Sequence, residues 1–142
     1  MHNTIQCEAV LKVLYNSKEH LSADEIYHLL TKEISQLSLA TVYRNLKKLE
    51  AQGIIREVIT SNQQKKFESN VSSHFHIYCP ICGKLTDLNY DLLAEIDKIL
   101  QAEIKDLKCE GYHLEFLAKC TECSKKSAIQ KTKAKTPPLS LI

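Results

Sequence analysis

Two Cys-x-x-Cys pairs, Cys79-Pro80-Ile81-Cys82 and Cys120-Thr121-Glu122-Cys123, limit this chain more than any other feature. Four thiolates in two such pairs make a closed tetrahedral cage of the kind that holds structural zinc. If all four share one ion, the intervening chain leaves one point and returns to it, closing a subdomain of its own. Disulfides are the other use of paired cysteines, but nothing here points to an oxidising compartment. No run of eighteen apolar residues occurs, and Met1-His2-Asn3-Thr4 lacks a charged-then-apolar signal pattern. The sequence therefore reads as cytoplasmic, without a membrane partner.

A harder donor set overlaps the first pair. His74 and His76 are one residue apart, which puts both on one face of a strand, and Glu68 and Asp87 flank them. Imidazole with carboxylate suits Fe, Mn, Zn or Co, and such a site empties and refills more easily than a thiolate cage.

The first half reads as helices. Cys7, Val10, Leu11 and Leu14 form one apolar stripe, and Ser22-Ala23-Asp24-Glu25 is a capping box opening a second helix that carries Ile26, Leu29 and Leu30. Ser38 starts a third, Leu39–Glu50, stopped near Gly53. Val42, Leu46 and Leu49 share its inner face. Ala40, Arg44, Lys47 and Lys48 point the other way and, with Thr41 and Tyr43, form a candidate DNA contact set. A cationic face with small residues at its start is what a helix in a major groove needs. Ile54–Thr60, a polar turn at Ser61–Gln64 and Lys65–Glu68 read as a β-hairpin. Three helices and a hairpin make a winged helix-turn-helix, with Lys65 or Lys66 at the wing reaching phosphates.

The second half reads as strands His74–Cys79 and Lys84–Leu88, a helix over 91–107 with Leu92, Ile96, Ile99 and Leu100 as its stripe, and a strand over 111–119 bearing Leu114 and Phe116. The fold class is thus α+β: a winged helix at 1–69, a small α/β metal-binding domain at 70–123, and a tail at 124–142. Residues 71–123 carry five Lys and Arg against nine Asp and Glu, while 124–142 carry five against none. That basic tail has little to bury and is expected to be disordered.

Ser38-Leu39-Ala40-Thr41-Val42-Tyr43-Arg44-Asn45-Leu46, followed by Gly53, Phe67-Glu68 and His74-x-His76-x-x-Cys79-x-x-Cys82-Gly83, resembles the ferric uptake regulator (Fur) family. The resemblance runs to Cys123 and implies a homodimeric, metal-dependent repressor that binds double-stranded DNA operators, with residues 70–123 as its dimerisation domain. It implies that His20, Glu68, His74, His76 and Asp87 hold a regulatory Fe, Mn or Zn ion, and that Cys79, Cys82, Cys120 and Cys123 hold structural zinc. The single His-x-His is similar to the peroxide-sensing PerR branch, in which a ligand histidine is oxidised. Three departures stand out: Glu68 where that branch commonly has Asp, Cys7 where members usually carry Arg, and a missing His-His-Asp-His run, which implies that the family's additional site is absent.

Other function classes make different demands. A zinc hydrolase needs an open metal position beside a base such as Glu68, yet no nucleophile motif or Gly-rich loop accompanies it. A thiol switch that ejects zinc on oxidation predicts a peroxide response through the cysteines. A zinc-ribbon adaptor predicts no regulated DNA binding.

Overall fold

The computed structural model describes residues 4–88, 92–106 and 114–130. Its first half is three helices, α1 (Ile5–Asn16), α2 (Ala23–Leu30) and α3 (Leu39–Ala51), followed by a hairpin of β1 (Arg56–Ile59) and β2 (Lys65–Glu68). Local chemistry sets each helix start. Thr4 accepts from the Cys7 amide, Ser22 and Glu25 complete a reciprocal capping box, and Ser38 accepts from the Thr41 amide. At the far end of α3, Gly53 takes φ +69°, its amide reaches the Glu50 carbonyl, and the Ile54 amide reaches Leu49. This paired closure needs a left-handed residue, which glycine adopts without a Cβ clash. It also turns the chain so that Ile55, 2% exposed, enters the core before the strand begins. The first strand therefore starts at Arg56, two residues later than the apolar run suggests.

Cys7, Val10 and Leu14 of α1, Ile26 and Leu30 of α2, and Val42, Leu46 and Leu49 of α3 meet in one buried cluster, sealed by Ile55 and Phe67. Cys7 is a packed core residue with no exposure. Leu29, expected in the α2 stripe, is 46% exposed, because Ile26 and Leu30 already fill the narrow face that α2 buries.

The second half is a three-stranded sheet ordered β4-β3-β5, from β3 (Phe75–Tyr78), β4 (Leu85–Leu88) and β5 (Phe116–Leu117), with helices α4 (Leu92–Glu103) and α5 (Thr121–Gln130). β3 runs antiparallel to β4 and parallel to β5. The expected helix over 91–107 ends at Glu103 among the described residues, and residues 91, 107 and the first part of the expected strand over 111–119 lie outside them. One expectation is corrected: residues 124–130, read as disordered tail, continue the helix that begins at Thr121. The Cys120 carbonyl accepts from the Ser124 amide, so the second cysteine pair nucleates a turn that the Lys-rich composition concealed. Residues 131–142 lie outside the described part.

Candidate metal centres

Three backbone pairings assemble the harder donor set. Leu21 and Phe67 form an antiparallel bridge, with amide-to-carbonyl distances of 3.2 and 2.8 Å, and this sets their neighbours His20 and Glu68 side by side. In the hairpin, Arg56 lies opposite Glu68, and in the second sheet His76 lies opposite Asp87. His74 precedes β3 by one residue and shares the face of His76.

One donor atom from each of His20, Glu68, His74, His76 and Asp87 lies within 4.8 Å of all the others. His20 Nε2 is 3.0 Å from Glu68 Oε2 and 3.1 Å from Asp87 Oδ1, and His74 Nε2 is 3.1 and 3.3 Å from the same two oxygens. His76 Nε2 stands 3.3 Å from Glu68 Oε1 and 3.4 Å from Asp87 Oδ1. Two metal–ligand bonds of about 2.1 Å at a right angle span about 3 Å, so these separations suit donors that share one ion. His76 Nε2 and Asp87 Oδ1 are buried and make no hydrogen bond to protein atoms. Unsatisfied atoms converging on one point are what a metal site leaves when only its protein part is considered. The donor chemistry, three imidazoles and two carboxylates, fits Fe, Mn or Zn.

Residues around the donors orient them. His74 Nδ1 donates to the Ser72 carbonyl at 2.8 Å, which leaves the Nε2 lone pair facing the cluster. Burial opposes the charge on Glu68, but the nearby ring nitrogens of His20 and His76, the Arg56 hydrogen bonds and the Arg56 charge outweigh it and hold the carboxyl far below its ordinary range. Arg56 and the Ser72 carbonyl were not singled out from the sequence. Only the strand register reveals that Arg56 faces Glu68.

The four cysteines also converge, with their sulfurs within 4.8 Å of one another. Cys82 Sγ lies 3.7 Å from Cys120 Sγ, too far for a disulfide and close to the roughly 3.8 Å edge of a tetrahedron with Zn–S bonds of about 2.3 Å. Gly83, at φ +77°, donates its amide to the Cys79 carbonyl and forms the knuckle turn. Amides of Cys120 and Cys82 aimed at the Cys79 sulfur outweigh burial and hold that thiol down at about 6, in the thiolate range. Burial and the three neighbouring thiols push Cys123 up to about 12. Four crowded sulfurs of unequal acidity are relieved by a dication, and this set fits structural zinc. Cys109 lies outside the described residues.

The candidate DNA face is mixed. Ala40, Tyr43, Arg44 and Lys47 are exposed on α3, and Thr41 and Lys48 are half-buried. Arg44 bonds the Thr41 hydroxyl at 3.1 Å. On the wing, Lys65 is exposed and pairs with Glu57 at 3.2 Å. Lys66 does not face outward: its side chain is 13% exposed and its ammonium sits 2.8 Å from Glu25. Strand alternation sends neighbouring residues to opposite faces, so only one of the two lysines can point away from the body.

Comparison with known proteins places these centres in context. The model of the ferric uptake regulator family matches residues 1–117. The peroxide-responsive repressor PerR of Staphylococcus aureus is 35% identical over 123 residues, covering 87% of this chain and 82% of that protein. Among solved structures, the Helicobacter pylori ferric uptake regulator, described as having three functional metal binding sites, superposes with a TM-score of 0.73 at 30% identity over 87% of this chain and 83% of that one. The Campylobacter jejuni peroxide stress regulator superposes with a TM-score of 0.65 at 33% identity, covering 83% and 88%.

Proposed function

Because this chain belongs to the ferric uptake regulator family, whose members are transcriptional regulators rather than enzymes, we propose that it is a metal-dependent, homodimeric repressor that binds double-stranded operator DNA. It couples iron or manganese status and peroxide stress to gene expression in the cytoplasm. Among the described residues no helix is long and apolar enough to cross a membrane. Residues 1–69 form the DNA-binding domain and 70–123 the dimerisation and metal-binding domain. Cys79, Cys82, Cys120 and Cys123 hold structural zinc. His20, Glu68, His74, His76 and Asp87 hold the regulatory ion, and Ala40, Thr41, Tyr43, Arg44, Lys47, Lys48 and Lys65 are the candidate DNA contacts.

The observation that carries this reading is the origin of the five donors. His20 comes from the loop before α2 and Glu68 from the wing, whereas His76 and Asp87 belong to the second sheet and His74 immediately precedes it. When bound, the ion supplies one attachment point common to both halves. His20 and Glu68 then fix the winged helix against the sheet, so the ion favours one relative orientation of the two recognition helices in a dimer. The test is selection of duplex DNA from a random library by the zinc-loaded protein in Mn(II), followed by gel shift. Retention is expected to strengthen at least about tenfold with Mn(II) or Fe(II), to vanish with chelator, and to be lost on peroxide treatment of the iron form only. Binding that ignores metal would overturn the reading.

Pairing of two copies is supported by α4. None of its twelve residues is buried, and Ile99, on the stripe with Leu92, Ile96 and Leu100, is 61% exposed. An amphipathic helix with no buried residue among the described part of the protein suits an interface between copies. Ile99→Asp is expected to shift the protein from dimer to monomer in sedimentation velocity while zinc content stays unchanged; a persistent dimer would exclude α4 from the interface.

A further inference from the structure

Building on the reading of the five donors as a regulatory ion site, we propose that Arg56 sets the affinity of that site. It occupies one oxygen of Glu68, leaves the other for coordination, and keeps a permanent positive charge beside the bound cation.

Arg56 Nε and Nη2 both contact Glu68 Oε1, at 2.9 and 2.6 Å, while Glu68 Oε2 faces His20 and His74 at 3.0 and 3.1 Å. The two oxygens thus differ in surroundings: Oε1 takes both guanidinium contacts and also stands 3.3 Å from His76 Nε2, whereas Oε2 faces His20 and His74. Arg56 also donates to the Ser72 carbonyl at 3.3 Å, the same oxygen that fixes the His74 tautomer, and its Nη2 lies 3.3 and 3.4 Å from the two His74 nitrogens. One guanidinium therefore touches a carboxylate donor, an imidazole donor and the carbonyl that orients it. Cross-strand register holds it there, Arg56 being the residue opposite Glu68.

Without an ion, this contact compensates a carboxylate that is 6% exposed and shares the donor cluster with a second carboxylate, Asp87. With a divalent ion, Glu68 and Asp87 already neutralise its charge, and Arg56 becomes a surplus cation one oxygen away from it. A guanidinium cannot shed its proton to relieve the repulsion. With one carboxylate between the two charges, the opposing effect, discounted for the one-third exposure of Arg56, still corresponds to about tenfold or more in metal affinity. That exceeds what ordering a single carboxylate rotamer contributes, so repulsion decides the sign. The result is a site whose ion exchanges with its surroundings, as a reporter of metal supply requires.

The test uses the full chain with its thiolates zinc-loaded, Mn(II) as probe and a competing chelator, on Arg56→Gln and Arg56→Lys. R56Q is expected to bind Mn(II) about tenfold or more tightly, with slower release, and to melt at a lower temperature than the unaltered protein when Mn(II) is absent. R56K, which retains the charge, is expected to stay within about threefold of the unaltered affinity. Unchanged or weaker binding by R56Q, or tightening by R56K equal to that of R56Q, would overturn the role of Arg56. An unaltered protein that takes up no Mn(II) beyond the zinc site would instead overturn the ion site itself, a distinct outcome.

Discussion

Replacing His74 and His76 together with alanine is expected to abolish metal-dependent operator binding in a protein that remains folded. The substitution removes two of the three imidazoles in the cluster and leaves His20, Glu68 and Asp87. Losing a group that merely orients a ligand costs about 10–100-fold in affinity, so losing two ligands costs more. The apolar core that holds α1, α2 and α3 together contains neither histidine. The zinc-loaded variant should therefore melt within about 4 °C of the unaltered protein when regulatory metal is absent. Gel shift with and without Mn(II), beside a melting curve, checks both halves of the expectation. An operator affinity that still responds to Mn(II) would mean that the two halves are joined by something other than this cluster.

Cys79→Ser tests the other centre and has the larger structural effect. Cys79 is 2% exposed and receives the Cys120 amide at 3.4 Å, so its sulfur ties the end of β3 to the start of α5. Four-ligand structural zinc contributes roughly 10–16 kcal/mol in small domains, and dividing that among the ligands puts the loss of one at about a hundredfold to a thousandfold in affinity. The shorter, harder oxygen of serine restores neither the bond nor the packing. Zinc content should fall, and amide exchange over β3, β4 and α5 should accelerate to that of an open chain. Amides in α1–α3 should stay protected, because the first-half core is complete without the sheet. Full zinc retention, or simultaneous loss of protection in both halves, would refute this division of stability.

The helices of the first half were legible because their signals are local. Ser22 with Glu25, Ser38 ahead of Thr41, and Gly53 after α3 each satisfy nearby backbone groups, and the structure uses all three. The cysteine pairs were legible because spacing alone restricts four thiolates to few arrangements. The helix through 124–130 was not, because its start depends on the Cys120 carbonyl and its Lys-rich composition resembles a tail. The facing of Lys66 is hidden for a related reason: hairpin membership is local, but the face that meets α2 depends on how the hairpin packs, and there Lys66 meets Glu25.

The chain by itself determined the kinds of chemistry available, thiolates in matched pairs and imidazoles with carboxylates, because ligand type follows from residue identity. It also determined where helices begin and end, since capping acts within a few residues. Only the tertiary structure decided that His20 stands 3.0 Å from Glu68, that His76 faces Asp87, and that Arg56 bonds one oxygen of Glu68. Those pairings arise from the Leu21–Phe67 bridge and from the registers of two sheets. A one-residue slip in either register would turn these side chains to the opposite face, so the site exists only once the long-range backbone hydrogen bonds have formed.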